Sequence, residues 1–233
     1  IIQRSTGAAI GTVLSVQSNT SLTLTANASS TQNNVAWQTL GSPGSGDAVA
    51  IGANSGNNFT VTVDINNAAC ASLSFGRNGG FSSGIGSLTF ATTGSPSLTV
   101  SGAVILGGTN SNGGSTGTIT FQSGSTLTAG SIQLGNTGGG GSAGVINMAS
   151  GGTLQVNGAI TVQTVTGNTW TPGTGTVILN ATNTLPSTIF TSFNNLVISG
   201  GTSTLGVNTN VTGALTLGAG ATLALGARTL GSP

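Results

Sequence analysis

Apolar and polar residues alternate in short phrases that recur along the middle of the chain. Three of them are Ser-Leu-Thr-Phe at 87–90, Thr-Ile-Thr-Phe at 118–121 and Val-Ile-Asn-Met at 145–148. Alternation by two places the apolar residues on one face of a β-strand and the polar residues on the other. The pattern predicts strands, because an amphipathic helix would need an apolar period near 3.6.

Two further phrases repeat in step with the first. One contains a glycine that returns every 28 residues, at Gly102, Gly130 and Gly158, and the other occupies 97–100, 126–129 and 153–156. Three strand phrases in each period of about 28 residues are typical of a solenoid with one strand per side of each coil. The sequence therefore predicts an all-β fold, a right-handed parallel β-solenoid (β-helix) with about three strands per coil, since parallel crossovers are nearly always right-handed.

The first 30 residues do not follow this repeat. Short apolar phrases predict strands at 12–17 and 21–26, with a turn at 18–20. We expect an N-terminal strand segment at 1–30, able to donate a strand to another subunit, and a single solenoid domain at 31–233.

Several stretches resemble repetitive secreted surface proteins of the Bacteroidota. They are Trp37, Pro43 to Asp47, Val61 to Asp64 and Ala69 to Leu73, followed by 193–199 and 215–230. The resemblance implies a parallel β-helix outside the cell, in an adhesive or structural role. No C-terminal sorting domain of that family is recognisable, and residues 1–30 do not match its pattern.

The inventory of chemically active side chains is small. The charged residues are Arg4, Arg77, Arg228, Asp47 and Asp64, and the chain has no His, Lys, Glu or Tyr. Asp47 and Asp64 are the two carboxylates available for acid–base catalysis, and we interpret them as a turn residue and a strand-end residue. We predict that the protein is not an enzyme and has no cofactor or metal site, and a net charge of +1 gives no signal for nucleic acid.

Three other residues invite a functional interpretation. Trp37 and Trp170 are either sugar-stacking platforms or, as we expect, packing residues. Cys70 is the single cysteine, and a buried apolar thiol is its simplest interpretation. No apolar run approaches the roughly 20 residues of a membrane span, so membrane insertion is not expected.

The repeat continues to Leu230 without a polar cap, so we expect that end to be covered by further sequence or by another copy. A contact between copies would use apolar residues near both ends: Ile1, Ile2, Ile10, Val13, Leu14, Val16, Leu215, Leu217, Leu223, Leu225 and Leu230. This predicts a structural extracellular protein at the cell surface, either a filament subunit assembled head to tail or the stalk of an adhesin.

An alternative is a module that binds carbohydrate or ice through a flat face rich in Thr, Asn and Ser, with surface glycans as possible partners. The motivation is a set of outward threonines at Thr118, Thr120, Thr126 and Thr128.

Overall fold

The computed structural model describes residues 43–52, 58–75, 84–108, 115–137, 141–186 and 188–231 in full. It also gives the backbone of five short strands among the first 42 residues. The chain divides into two compact units, Ile1–Ser42 and Pro43–Pro233. The predicted domain boundary after residue 30 lies outside the described residues.

The first unit consists of antiparallel strands. They are β1 (Ile2–Arg4), β2 (Ala9–Gly11), β3 (Val13–Ser18), β4 (Ser21–Leu24) and β5 (Trp37–Gln38). Strands β3 and β4 form a hairpin, and β1 lies between β2 and β5. The two strands predicted from the alternation at 12–17 and 21–26 are therefore present.

The second unit is a β-solenoid of parallel strands. Its strands are β6 (Ala48–Ile51), β7 (Phe59–Val63), β8 (Ala68–Cys70), β9 (Ser72–Phe75), β10 (Ile85–Phe90), β11 (Ser97–Leu106), β12 (Thr116–Thr120), β13 (Thr126–Leu134), β14 (Gly144–Asn147), β15 (Thr153–Val156), β16 (Ile160–Val162), β17 (Thr169–Thr171), β18 (Thr176–Leu179), β19 (Asn183–Leu185), β20 (Ser192–Phe193), β21 (Asn195–Ile198), β22 (Thr202–Leu205), β23 (Thr209–Val211), β24 (Leu215–Leu217), β25 (Thr222–Ala224) and β26 (Leu230–Gly231). The predicted all-β solenoid is confirmed.

Each coil contributes one strand to each of three rows. Row A contains β8, the first halves of β11 and β13, then β15, β18, β21 and β24. Row B contains β6, β9, the second halves of β11 and β13, and β16, and it is followed by the sheet of β19, β22 and β25. Row C contains β7, β10, β12, β14 and β17, and β20, β23 and β26 take its place in the last coils.

The core is the stack of inward side chains from these rows. Ile119 and Phe121 are fully buried, while Thr118 and Thr120, which alternate with them, lie on the outer face. The Phe121 ring also packs against Phe90 of the previous coil, with ring centroids 5.3 Å apart. The apolar residues thus face the core and the polar residues face outward, as the sequence predicts, because successive side chains of a strand point to opposite faces.

The coils become shorter toward the C-terminus than the period of about 28 residues that the sequence predicts. Row C steps from Val61 to Leu88, Ile119, Ile146 and Trp170, about four turns with a repeat of about 27 residues. Hydrogen-bonded partners in neighbouring coils are 27 residues apart at Ser115 and Ser142, but only 19 apart at Thr176 and Asn195. Each coil keeps its three strands, but the strands become shorter as well: those of row C fall from six residues in β10 to three in β17 and two in β20.

Among the described residues, no helix has the length and apolar composition of a membrane span.

Candidate functional site

The two aspartates lie where the sequence predicts them, one in a turn and one at the end of a strand. Asp47 closes its own turn: its Oδ2 accepts a hydrogen bond from the Gly44 amide at 2.8 Å, and its amide donates to the Gly44 carbonyl at 3.0 Å. Asp64 directly follows β7 and is exposed. Within the described ranges, no group of three His, Cys, Asp or Glu residues comes together to hold a metal ion.

Trp170 is a core residue. Its ring packs against Phe190 and Phe193, with centroid separations of 5.0 and 5.6 Å, and its Nε1 donates to the Ser192 carbonyl at 2.7 Å. These contacts tie row C to the shorter coils that follow, so the packing interpretation is correct for Trp170. The side chain of Trp37 lies outside the described residues.

Cys70 is buried in row A, in register with Val100 of the next coil. Burial raises the pKa of its thiol, because desolvation disfavours the thiolate. As this is the chain's single cysteine, its reactivity reports directly on the packing of the early coils.

We expect Cys70 in the folded protein to react far more slowly with an aromatic disulfide reagent at pH 8 than in denaturant. The raised pKa also has a consequence for stability: the contribution of this thiol is complete below the unfolded pKa and is lost as the pH rises above about 8.5. Absorbance of the released thiolate measures the rate. Equal rates in folded and denatured protein would contradict the burial of Cys70.

The last coil of the solenoid carries an exposed apolar surface, which we call the C-terminal end face. It consists of Leu215 and Leu217 of β24, Leu223 of β25, Leu225 and Leu230. Leu215 and Leu217 pair with Leu196 and Ile198, which are fully buried. They therefore occupy inward positions, yet they are 37 % and 50 % exposed.

A shallow recess of about 170 Å³ opens on this surface. It is lined by Val211, Gly213, Leu215, Leu230 and Gly231. Leu223 and Leu230 are half-buried against the core, whereas Leu225 is exposed. The structure thus brings the five predicted C-terminal leucines onto one end coil.

The predicted N-terminal contact residues fall differently. Ile2, Ile10, Val13, Leu14 and Val16 belong to β1, β2 and β3, whose backbone alone is described. Ile1 lies outside the described residues. Their part in a subunit contact stays a prediction.

Sequence reasoning missed a second set of exposed apolar residues, which lies on the first strand of row C. Phe59 and Val61 of β7 are 43 % and 45 % exposed, although they pair with buried Gly86 and Leu88. β7 is the terminal strand of its sheet. The signal was available, because Phe-Thr-Val-Thr-Val at 59–63 has the alternation of a core phrase with no matching phrase before it in row C.

The four threonines that motivated the binding alternative do not share one face. Thr118 and Thr120 lie on the outside of row C, whereas Thr126 and Thr128 lie on the outside of row A. The two pairs are consecutive in sequence, but a corner separates them.

Comparisons with protein-family models, with curated proteins and with solved structures gave no match to this chain. The resemblance to Bacteroidota surface proteins therefore stays a prediction.

Proposed function

We propose that this protein is a structural β-solenoid of the cell surface whose copies join end to end into a filament. The observation that carries the proposal is the exposure of Leu217. This residue pairs with the buried Ile198 and so takes an inward position, yet it is half exposed. A β-solenoid is consistent with a structural or adhesive role, and a surface with so few charges offers little repulsion between copies.

The end coils have the chemistry that strand addition needs. Among the described residues, β24 is the terminal strand of its sheet, so the last coil presents leucines beside an unpaired strand edge, and the first strand of row C presents Phe59 and Val61. An edge of this kind pairs readily with another strand unless it is blocked. Head-to-tail contact would set β24 and its neighbours against the first coil of the next copy and remove these side chains from water.

The first and last coils of the solenoid differ in length. This difference does not prevent stacking, because coils of different length already stack within the chain. Asn157 and Asn180, hydrogen-bonded between neighbouring coils, lie 23 residues apart in sequence, whereas Thr176 and Asn195 lie 19 apart. Coils of unequal length are thus stacked already within this chain. In the stalk of an adhesin, the same end face would be covered by the next coil of one polypeptide.

We expect the protein to form elongated end-to-end assemblies that grow with concentration, and the variant Leu217→Glu to remain monomeric. A carboxylate in the inward column would be buried without a partner on stacking, which opposes assembly. Sedimentation velocity and negative-stain electron microscopy measure the outcome.

Thr216→Glu is the matched control, because Thr216 lies between the two leucines on the same strand and points outward. It introduces the same charge and should still assemble. A wild-type protein that stays monomeric at high concentration overturns the proposal, as does equal inhibition by both variants.

A further inference from the structure

Row C carries two columns of hydroxyl-bearing side chains on its outer face, separately from the end coils. We call this surface the threonine face. Each of its five ranks is the outward pair of one strand: Thr60 and Thr62, Ser87 and Thr89, Thr118 and Thr120, Val145 and Asn147, Thr169 and Thr171.

The ranks are in register without interruption. The four pairings from β7 to β17 contain no shift, whereas the neighbouring strands β11 and β13 shift between Val100 and Ala103. Successive ranks are therefore about 4.8 Å apart, and the two members of a rank about 6.6 Å apart. Seven of the ten positions are threonine, so the methyl and hydroxyl groups form a two-dimensional lattice.

The hydroxyls of the first three ranks are free to bind water, whereas the Thr169 hydroxyl in the fifth rank donates to the Gly167 carbonyl at 3.1 Å. In the first three ranks, within the described part of the chain, no side-chain hydroxyl has a protein partner. None of the ten positions is charged or aromatic. Trp170, which lies between Thr169 and Thr171 on β17, is buried in the core.

We propose that the threonine face binds ice, an activity beyond the structural role. The oxygen lattice on the prism faces of ice has repeats close to both spacings of this array. A hydroxyl can donate and accept within that lattice, and the methyl group beside it lets neighbouring water order without competition from a charge. The absence of aromatic platforms from these ten positions favours ice over a polysaccharide, whose rings stack on such side chains.

The fourth rank is the weakest. Val145 has no hydroxyl, and the Oδ1 of Asn147 accepts a hydrogen bond from the Ala149 amide at 3.0 Å. The continuous patch is therefore the first three ranks, on β7, β10 and β12. Thr118 and Thr120 form its third rank, on the middle strand of the five-stranded sheet.

The test is thermal hysteresis, together with incorporation into a growing polycrystalline ice sphere, on the full chain. We expect measurable hysteresis for the wild type and its loss in Thr118→Lys, because a long charged side chain holds the lattice away from the face. Thr128→Lys is the control, because it makes the same change on the outside of row A. Thr128 is half-buried like Thr118, and this variant should retain activity. Circular dichroism melting establishes that both variants are folded.

Completing the array gives a second, independent readout. Val145→Thr replaces one β-branched side chain by another of nearly the same shape and should increase hysteresis. The proposal is overturned if the wild type has no hysteresis, if both lysine variants behave alike, or if Val145→Thr brings no increase. Retention on cellulose or chitin without any activity on ice would also overturn it and would assign the face to carbohydrate.

Discussion

Replacing Asn183 with leucine is expected to lower the free energy of unfolding by about 3 kcal/mol, because two buried backbone groups lose their partners. Asn183 is the first residue of β19, and its side chain is buried. Its Oδ1 accepts from the Ile160 amide at 3.0 Å, and its Nδ2 donates to the Gly158 carbonyl at 2.7 Å. It thus supplies the hydrogen bonds that a strand ladder would make at this level of row B.

Asn180→Ala is the control for this prediction. Asn180 donates through its Nδ2 to Asn157 Oδ1 at 2.8 Å, but at an exposed position where water can replace the bond. We expect its effect to stay within about 0.5 kcal/mol. Guanidinium denaturation, followed by circular dichroism, measures both values. Similar losses for the two variants would contradict the bridging role of Asn183.

Replacing Gly130 with alanine is expected to destabilise the protein by about 2 kcal/mol, through overpacking at a corner that cannot yield. A Cβ added at Gly130 would lie 2.3 Å from the Ser101 carbonyl oxygen and 2.7 Å from that of Gly102. Both atoms belong to the backbone of the previous coil. Movement there would separate the rows A and B that β11 and β13 join.

Gly46→Ala is the control for the steric argument. No atom lies within 4 Å of a Cβ built at Gly46, and its backbone does not require a positive φ. We expect little change or a slight gain in stability, since alanine restricts the unfolded chain. If Gly130→Ala were equally harmless, the corner would be looser than its carbonyl contacts indicate.

The repeated glycines illustrate how far sequence reasoning reached. Their spacing of 28 residues predicted the coil, but their physical role at 102, 130 and 158 came from the stacking of one corner on the next. In each case an added Cβ would meet a carbonyl oxygen of the preceding coil, at Ala71, Ser101 and Gly130 respectively. A linear sequence gives the interval, whereas the contact exists only between coils.

The candidate sites divide in the same way. The inward positions of Leu215 and Leu217 could be predicted from the sequence, since their alternation matches that of buried strands. Phe59 and Val61 carry the same local signal, whereas the threonine face required the register between strands far apart in sequence. Asn183 could not be predicted either, because nothing in its local sequence distinguishes a bridging asparagine from a turn residue.

The sequence by itself determined the strands, their number per coil and the face that each side chain takes, because alternation and period are local properties of a chain. Only the tertiary structure decided which threonines share a surface and where the coils shorten. These features depend on the register of one coil against another. That register is fixed by the corners, whose length and packing the repeated phrases do not encode.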